Sequence, residues 1–204
     1  SAWRKKVIDY KPDVIISSIV EDTYYLWNKF MDQVSDRKFI NVVGGVFVTY
    51  YPQAFEGKCD YILRGEGDEV VPELMDHISE NKTGHHLLNV HPNPMRPAMN
   101  VNTLPSTDHE IFDKRSLYRP FQGKIIKIAT VETQRGCPFK CKFCNSPSNA
   151  GLYKEETDSS FFRKRSVEHQ EDEIKHLIDT IQVEFLWIVT DTFLTMSKKG
   201  FDEW

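Results

Sequence analysis

Three thiols stand within one short stretch, Arg135-Gly136-Cys137-Pro138-Phe139-Lys140-Cys141-Lys142-Phe143-Cys144-Asn145, at the spacing C-x3-C-x2-C. Thiolates this close in sequence can converge from one loop on one metal centre. Gly136 and Pro138 flank the first cysteine and favour an irregular turn whose backbone N–H groups can face anionic sulfur. The number of thiols discriminates between chemistries. A structural zinc site takes a fourth Cys or His, and an electron-transfer cluster takes a fourth thiolate. The remaining cysteine, Cys59, is remote in the chain, and His169 and His176 fall on a predicted helix without ligand spacing to the loop. Three thiolates on a four-iron cluster leave one iron open, which is a catalytic layout. A zinc or non-catalytic iron–sulfur module, or three unrelated core thiols, are the alternatives.

The loop resembles the signature of the radical S-adenosylmethionine (SAM) enzymes, in which C-x3-C-x2-C holds a [4Fe–4S] cluster and an aromatic residue precedes the third cysteine. Cys137, Cys141 and Cys144 match the ligands and Phe143 matches the aromatic position. The resemblance implies that the open iron chelates the amino and carboxylate groups of SAM. It also implies that one electron splits the S–C5′ bond to a 5′-deoxyadenosyl radical, and that a low-potential donor such as flavodoxin or ferredoxin supplies it.

The elements that must position this loop follow from the rest of the chain. At 40% hydrophobic and 27% charged residues the composition is that of a globular protein, and a net charge of -4 gives no general attraction to nucleic acid or anionic membrane. No apolar run approaches the roughly 18 residues of a membrane span. Clustered cysteines without disulfide-like spacing favour a reducing, cytoplasmic setting. The chain opens on Ser1 and ends soon after a predicted strand, so a piece of a longer protein is expected.

Residues 1–82 alternate strand and helix. Val14 to Val20 is a β-branched run suited to a parallel strand buried on both faces. Trp27, Phe30, Met31 and Val34 then place an apolar stripe on a helix, expected to be core. Phe39 to Val43 forms the next strand and runs into Gly44-Gly45, and Tyr61 to Leu63 forms a third. A helix begins near Asp68 with Pro72 in its first turn and Val71, Leu74, Met75 and Ile78 on its inner face. The pattern predicts a Rossmann-like α/β sheet with ligands beyond the carboxyl ends of its strands. Glu66, Asp68 and Glu69 face the positive end of that helix, and Cys59 reads as a small buried residue.

Two glycines at a strand end permit positive φ and close approach of a ligand to the backbone; an ordinary tight turn is the alternative. Together, Ser17-Ser18-Ile19, Gly44-Gly45 and the segment from Asp60 to Glu69 resemble the cobalamin-binding domain that precedes many radical SAM domains. The resemblance implies that Ser17, Gly44 and Gly45 line the pocket of the cobalamin's nucleotide tail. The family's earliest strand, with its Asp-x-His-x-x-Gly motif where present, would precede Ser1.

Residues 83–123, with Pro92, Pro94, Pro97, Pro105 and Pro120, read as an irregular linker, and His85, His86 and His91 as its solvated histidines. Residues 124–204 open a second domain. Lys124 to Thr133 alternates into a strand that delivers the cysteine loop at its carboxyl end, where barrel folds place their chemistry. Ser166 is positioned to cap a helix whose inner face carries Ile174, Leu177, Ile178 and Ile181. Arg163, Lys164 and Arg165 read as solvated surface, with contact to a carboxylate or phosphate as the alternative. Glu184 to Val189 forms the next strand and ends in Thr190-Asp191-Thr192-Phe193. By resemblance Asp191 contacts the SAM amino group; capping of the next turn is the alternative.

The chain is therefore expected to join a Rossmann-like cobalamin-binding domain to the first third of a radical SAM partial (β/α) barrel. The resemblance implies methyl transfer to an unreactive carbon of a small molecule, with cobalamin as methyl carrier; radical cyclisation or rearrangement runs on the same domains. A tRNA methylthiotransferase shares the loop but carries three further cysteines for a second cluster, and only Cys59 is available here.

Overall fold

A computed structural model describes residues 1–195 and 197–203. The chain divides into two compact units, one of Ser1–Met99 with Gly151–Ser159 and the other of Asn100–Ala150 with Ser160–Trp204. The stretch expected as a linker is thus shared out: residues 83–99 pack with the first unit and 100–123 with the second.

The first unit runs α1 (Ala2–Tyr10), β1 (Val14–Ser18), α2 (Glu21–Asp32), β2 (Ile40–Gly44), α3 (Val46–Tyr50), β3 (Tyr61–Ile62) and α4 (Gly67–Ser79). The strands are parallel in the order β1-β2-β3. Their side chains alternate between two cores. Val42, Tyr61 and Leu63 join Val70 and Leu74 of α4 on one face, while Val43 and Ile62 join Trp27 of α2, Val48 of α3 and Phe55 on the other. This is the period-two alternation of a sheet covered on both sides.

Burial on both faces, expected of β1, is found instead in the central strand β2. β1 lies at the sheet edge, with Ile16 47% exposed. Pro72 sits inside α4 and not in its first turn, where Asp68 and Glu69 lie as expected against the positive helix end. The supposed linker histidines have partners. His85 stacks on Tyr61 with ring centroids 4.5 Å apart, His86 meets His77, and His91 Nε2 lies 3.0 Å from Glu56. Residues 151–159 also belong here: Tyr153 is buried, its hydroxyl accepts the Glu66 N–H at 2.9 Å, and Glu156 pairs with Arg64.

Gly45 is held by the chain itself. Its φ is +100 with extended ψ, a region essentially closed to other residues. A Cβ there would lie 2.7 Å from the Ile19 nitrogen and 2.9 Å from its carbonyl oxygen. That approach lets Ile19 N–H donate to the Gly44 carbonyl at 2.8 Å and its carbonyl accept from Phe47 N–H at 3.2 Å. Gly45→Ala is expected to destabilise the protein by about 2–4 kcal/mol, read as a lower urea midpoint, because strain and a backbone clash add.

The second unit contains β4 (Tyr118–Phe121), β5 (Lys124–Glu132), β6 (Gln134–Arg135), α5 (Ser146–Thr157), which ends in the first unit's residues, β7 (Arg163–Lys164), α6 (Val167–His176), β8 (Phe185–Val189) and α7 (Lys198–Glu203). β4 and β5 form an antiparallel hairpin, and β8 pairs parallel with β5. A parallel pair needs a crossover connection, which is the unit from which a (β/α) barrel is built. Ala129, Val131 and Leu186 of the pair pack against Leu177 and Ile181. On the opposite face Trp187 and Val189 are 53% and 48% exposed.

Ser166 caps α6 as expected, its hydroxyl accepting from His169 N–H at 3.2 Å. Ile178 does not face the core. The helix passes into a π-turn over Leu177–Ile181, whose wider spacing keeps Leu177 and Ile181 inward and turns Ile178 out to 51% exposure.

Candidate cluster loop and cofactor pockets

β5 delivers the chain to the short strand β6, and the cysteine loop follows. Gly136, with φ of +78, is set so close to Phe161 that a Cβ would lie 2.5 Å from its carbonyl oxygen. A glycine ahead of Cys137 is therefore a requirement of the chain's path. All three loop cysteines are free thiols, Cys141 and Cys144 exposed and Cys137 half-buried. Cys144 N–H closes a turn on the Cys141 carbonyl at 3.2 Å, and Ser146 N–H donates to Cys144 Sγ at 3.4 Å. An N–H already directed at sulfur suits a thiolate ligand. Phe143 is 95% exposed, next to Cys144 in sequence and outside any core.

Among the described residues no three His, Cys, Asp or Glu side chains are gathered around the position of one ion. A donor set of three free thiols, two of them exposed, fits a cluster of several irons, which keeps its thiolates further apart than a single zinc does.

Cys59 is of another kind. It is half-buried beside Phe55, and burial, helped by Asp60, pushes its thiol up to about 12. At neutral pH it stays protonated, and only the thiolate alkylates. In metal-free protein at about pH 8, iodoacetamide is expected to label Cys141 and Cys144 and to spare Cys59 until urea is added. Peptide mass mapping checks this.

Asp191 lies exposed in the bend after β8, at the carboxyl end of the strand beside the one that leads to the cysteines. Sequence inspection missed what ties the two ends together. Gln134 is 2% exposed, and its amide donates to the Thr192 carbonyl and, at 3.2 Å, to Thr195 Oγ1. A buried amide spending its donors in this way fixes the turn after β8 against the entry to the cysteine loop. Its only sequence signal was a polar residue at a strand end.

Arg165 also departs from expectation. It is buried, its side chain 5% exposed, and it pairs with Glu173, whose side chain is 2% exposed. Glu173 accepts as well from Thr107 N–H at 3.3 Å, so the pair anchors a loop to α6.

In the first unit a pocket of about 270 Å³ opens at the carboxyl end of β1, walled by Ser17, Ser18, Ile19, Trp27, Phe30 and Trp3 among others. Trp27, placed in the core by its spacing, thus serves as both core and wall. Its Nε1 is buried and has no partner among the described residues, whereas Trp3 Nε1 donates to the Phe30 carbonyl at 2.9 Å. Ser17 lies at this pocket. Gly45 packs against Ser18 and Ile19, and Gly44 makes only ordinary contact with Leu63, so neither glycine needs a ligand to explain it.

No family model matches the chain. Over 97% of its length it is 26% identical to an uncharacterized methyltransferase of Pyrococcus horikoshii, covering 44% of that protein. Over 98% it is 24% identical to the anaerobic magnesium-protoporphyrin IX monomethyl ester cyclase of Cereibacter sphaeroides, covering 33% of it. Over 82% it is 25% identical to the bacteriochlorophyllide d C-8(2)-methyltransferase of Chlorobaculum tepidum, covering 34% of it. The chain thus spans less than half the length of these curated relatives. Among solved structures, the radical S-adenosylmethionine methyltransferase TsrM of Kitasatospora setae, with cobalamin and a [4Fe-4S] cluster bound, superposes on 94% of the chain and 40% of its own, with a TM-score of 0.58 and 16% identity. The chain thus shares the fold of this part of TsrM. TsrM with tryptophan and a SAM analog bound aligns similarly, at a TM-score of 0.56. The likeness therefore extends over nearly the whole chain. A closed barrel is not formed by the described residues. No described helix is long and apolar enough to cross a membrane.

Proposed function

We propose that the chain is the cofactor-binding part of a cobalamin-dependent radical SAM enzyme that methylates an unreactive carbon of a small molecule. The observation that carries this is the set of free thiols Cys137, Cys141 and Cys144 in one loop at the carboxyl end of β5, beside a parallel partner strand. These cysteines would hold a [4Fe–4S] cluster, which when bound supplies the electron that cleaves the sulfonium bond of SAM.

The chain's own residues have positional tasks. Gln134 holds the turn that carries Asp191, and Asp191 would accept a hydrogen bond from the SAM amino group. Phe143, exposed beside Cys144, would be free to pack against a cofactor bound at the loop. At the β1 pocket, Ser17 and Ser18 hydroxyls and the unpartnered Trp27 indole N–H stand among apolar walls. Such a lining fits a flat heteroaromatic group with few acceptors, which supports seating the nucleotide tail of cobalamin there. Gly45 contributes by letting the β1 end pack closely.

Radical cyclisation is the second reading, favoured by the likeness to the monomethyl ester cyclases. Both use the same cofactors, so one experiment addresses the common part. The protein is reconstituted anaerobically with iron, sulfide and hydroxocobalamin, and optical and electron paramagnetic resonance spectra are recorded before and after SAM. A reducible cluster signal that shifts with SAM, together with a stoichiometric cobalamin spectrum, is expected. A cluster without cobalamin would remove the cobalamin-dependent reading, and a single bound zinc would leave a non-catalytic module.

A further inference from the structure

His77 occupies the last turn of α4, and its own helix fixes its ring. Nδ1 lies 2.8 Å from the Glu73 carbonyl oxygen, which can only accept, so Nδ1 carries the proton and Nε2 keeps its lone pair. Metal-ligating histidines have this form, because a second nitrogen that donates to a carbonyl sets the tautomer and raises the basicity of the free one. The chain after α4 turns back on this residue. Lys82 N–H donates to the His77 carbonyl at 2.8 Å, and Leu87 N–H donates to the Gly84 carbonyl at 3.1 Å. Gly84 is pressed against the helix, where a Cβ would overlap Leu74 Cδ1.

That return sets the His86 ring beside the His77 ring, with centres 5.2 Å apart and planes at 60°. Two imidazoles bound to one ion through nitrogens about 2.0–2.1 Å from it have centres about 4.5 Å apart at a right angle and about 5.2 Å apart at the tetrahedral angle. The observed spacing is that of a tetrahedral pair. His85 is engaged elsewhere, by its stack on Tyr61. Charge also favours a cation here. From residue 76 to residue 90 the chain carries Asp76 and Glu80 against a single cation, Lys82, and the carboxyl end of α4 adds the negative pole of the helix. Among the described residues no third His, Cys, Asp or Glu joins the two rings, so solvent would complete the shell. Structural zinc takes four protein ligands, whereas an ion held by two exchanges with solution.

We propose that His77 and His86 chelate a divalent late transition ion, zinc foremost, which clips the turn at residues 82–86 to the end of α4. Imidazole nitrogen suits zinc, copper and nickel, while magnesium and calcium take oxygen ligands. The site uses none of the loop cysteines and does not draw on the function proposed above.

The test is run in a background with Cys137→Ser, Cys141→Ser and Cys144→Ser, so that no loop thiol competes for the metal. Zinc chloride is titrated calorimetrically into this parent and into the same chain with His77→Gln, His86→Gln or His85→Gln. One zinc per chain is expected, its affinity reduced about ten-fold or more by His77→Gln or by His86→Gln and unchanged by His85→Gln. Magnesium chloride is expected to give no binding heat. Urea unfolding supplies a second readout: zinc is expected to raise the midpoint of the parent and to leave those of the His77 and His86 variants where they are. Midpoints without zinc check folding, and because His86 is exposed its variant carries the test even if His77→Gln does not fold. Loss of affinity in only one of two folded variants would mean a contact with a single histidine. No binding, or no loss in either, would mean that the two rings only pack. Each of these results would overturn the chelate.

Discussion

Alanine at any one of Cys137, Cys141 or Cys144 is expected to reduce iron and sulfide, after anaerobic reconstitution, from about four of each per chain to near zero. In a longer protein that contains this chain, the same substitutions are expected to abolish any SAM cleavage. Two thiolates from a short exposed loop cannot hold a cluster that already lacks a fourth protein ligand, so the loss is all-or-none and not graded. Cys59→Ser, in contrast, is expected to leave the iron content unchanged, because that thiol is half-buried against a core of the other unit with its proton held by burial. Retention of a full cluster after loss of one loop cysteine would show that the ligand set has been misassigned.

Glu173→Ala is expected to destabilise the protein by about 3–5 kcal/mol, the range for removing one partner of a buried ion pair. The cost comes from Arg165, whose charge would remain in the interior without its carboxylate, and from Thr107 N–H, which would lose its acceptor. Urea unfolding measures it directly. The double variant Arg165→Met with Glu173→Leu is expected to recover most of the loss, because apolar residues of similar size avoid the desolvation that the pair must offset. If the single and double variants were equally unstable, shape at this site and not charge would be the cause.

These effects fall on residues of very different legibility. The cysteine loop stood out in the sequence because metal ligation by thiolates is local: three cysteines, a glycine and a proline occupy one short stretch, and no distant contact is needed to see it. Gly136 then proved necessary for a close approach to Phe161, which its flanking position suggested but could not demonstrate. The strands of the first unit were equally open to inspection, since β-branched runs and strand-end glycines record burial and turn geometry residue by residue. The burial of β1 was misjudged for a physical reason. A continuous apolar run says that a strand is apolar, whereas its place in the sheet order depends on which strands pair beside it.

Arg165 and Gln134 show the opposite case. Arg163-Lys164-Arg165 is an ordinary surface run by charge, yet strand alternation turns Arg165 inward to meet a glutamate one helix later. Gln134 acquires its function only when β8 comes to lie beside β5. Ile178 was lost to a π-turn that no apolar spacing announces. By itself, then, the sequence determined the candidate cysteine loop, the alternation of strand and helix, and the capping of α6 by Ser166, all of which depend on neighbours in the chain. The tertiary structure alone decided which charges are buried, which donors are left without acceptors, and where the stretch from 83 to 123 is divided. Those are set by contacts between residues far apart in sequence, and a residue's type does not specify its distant partner.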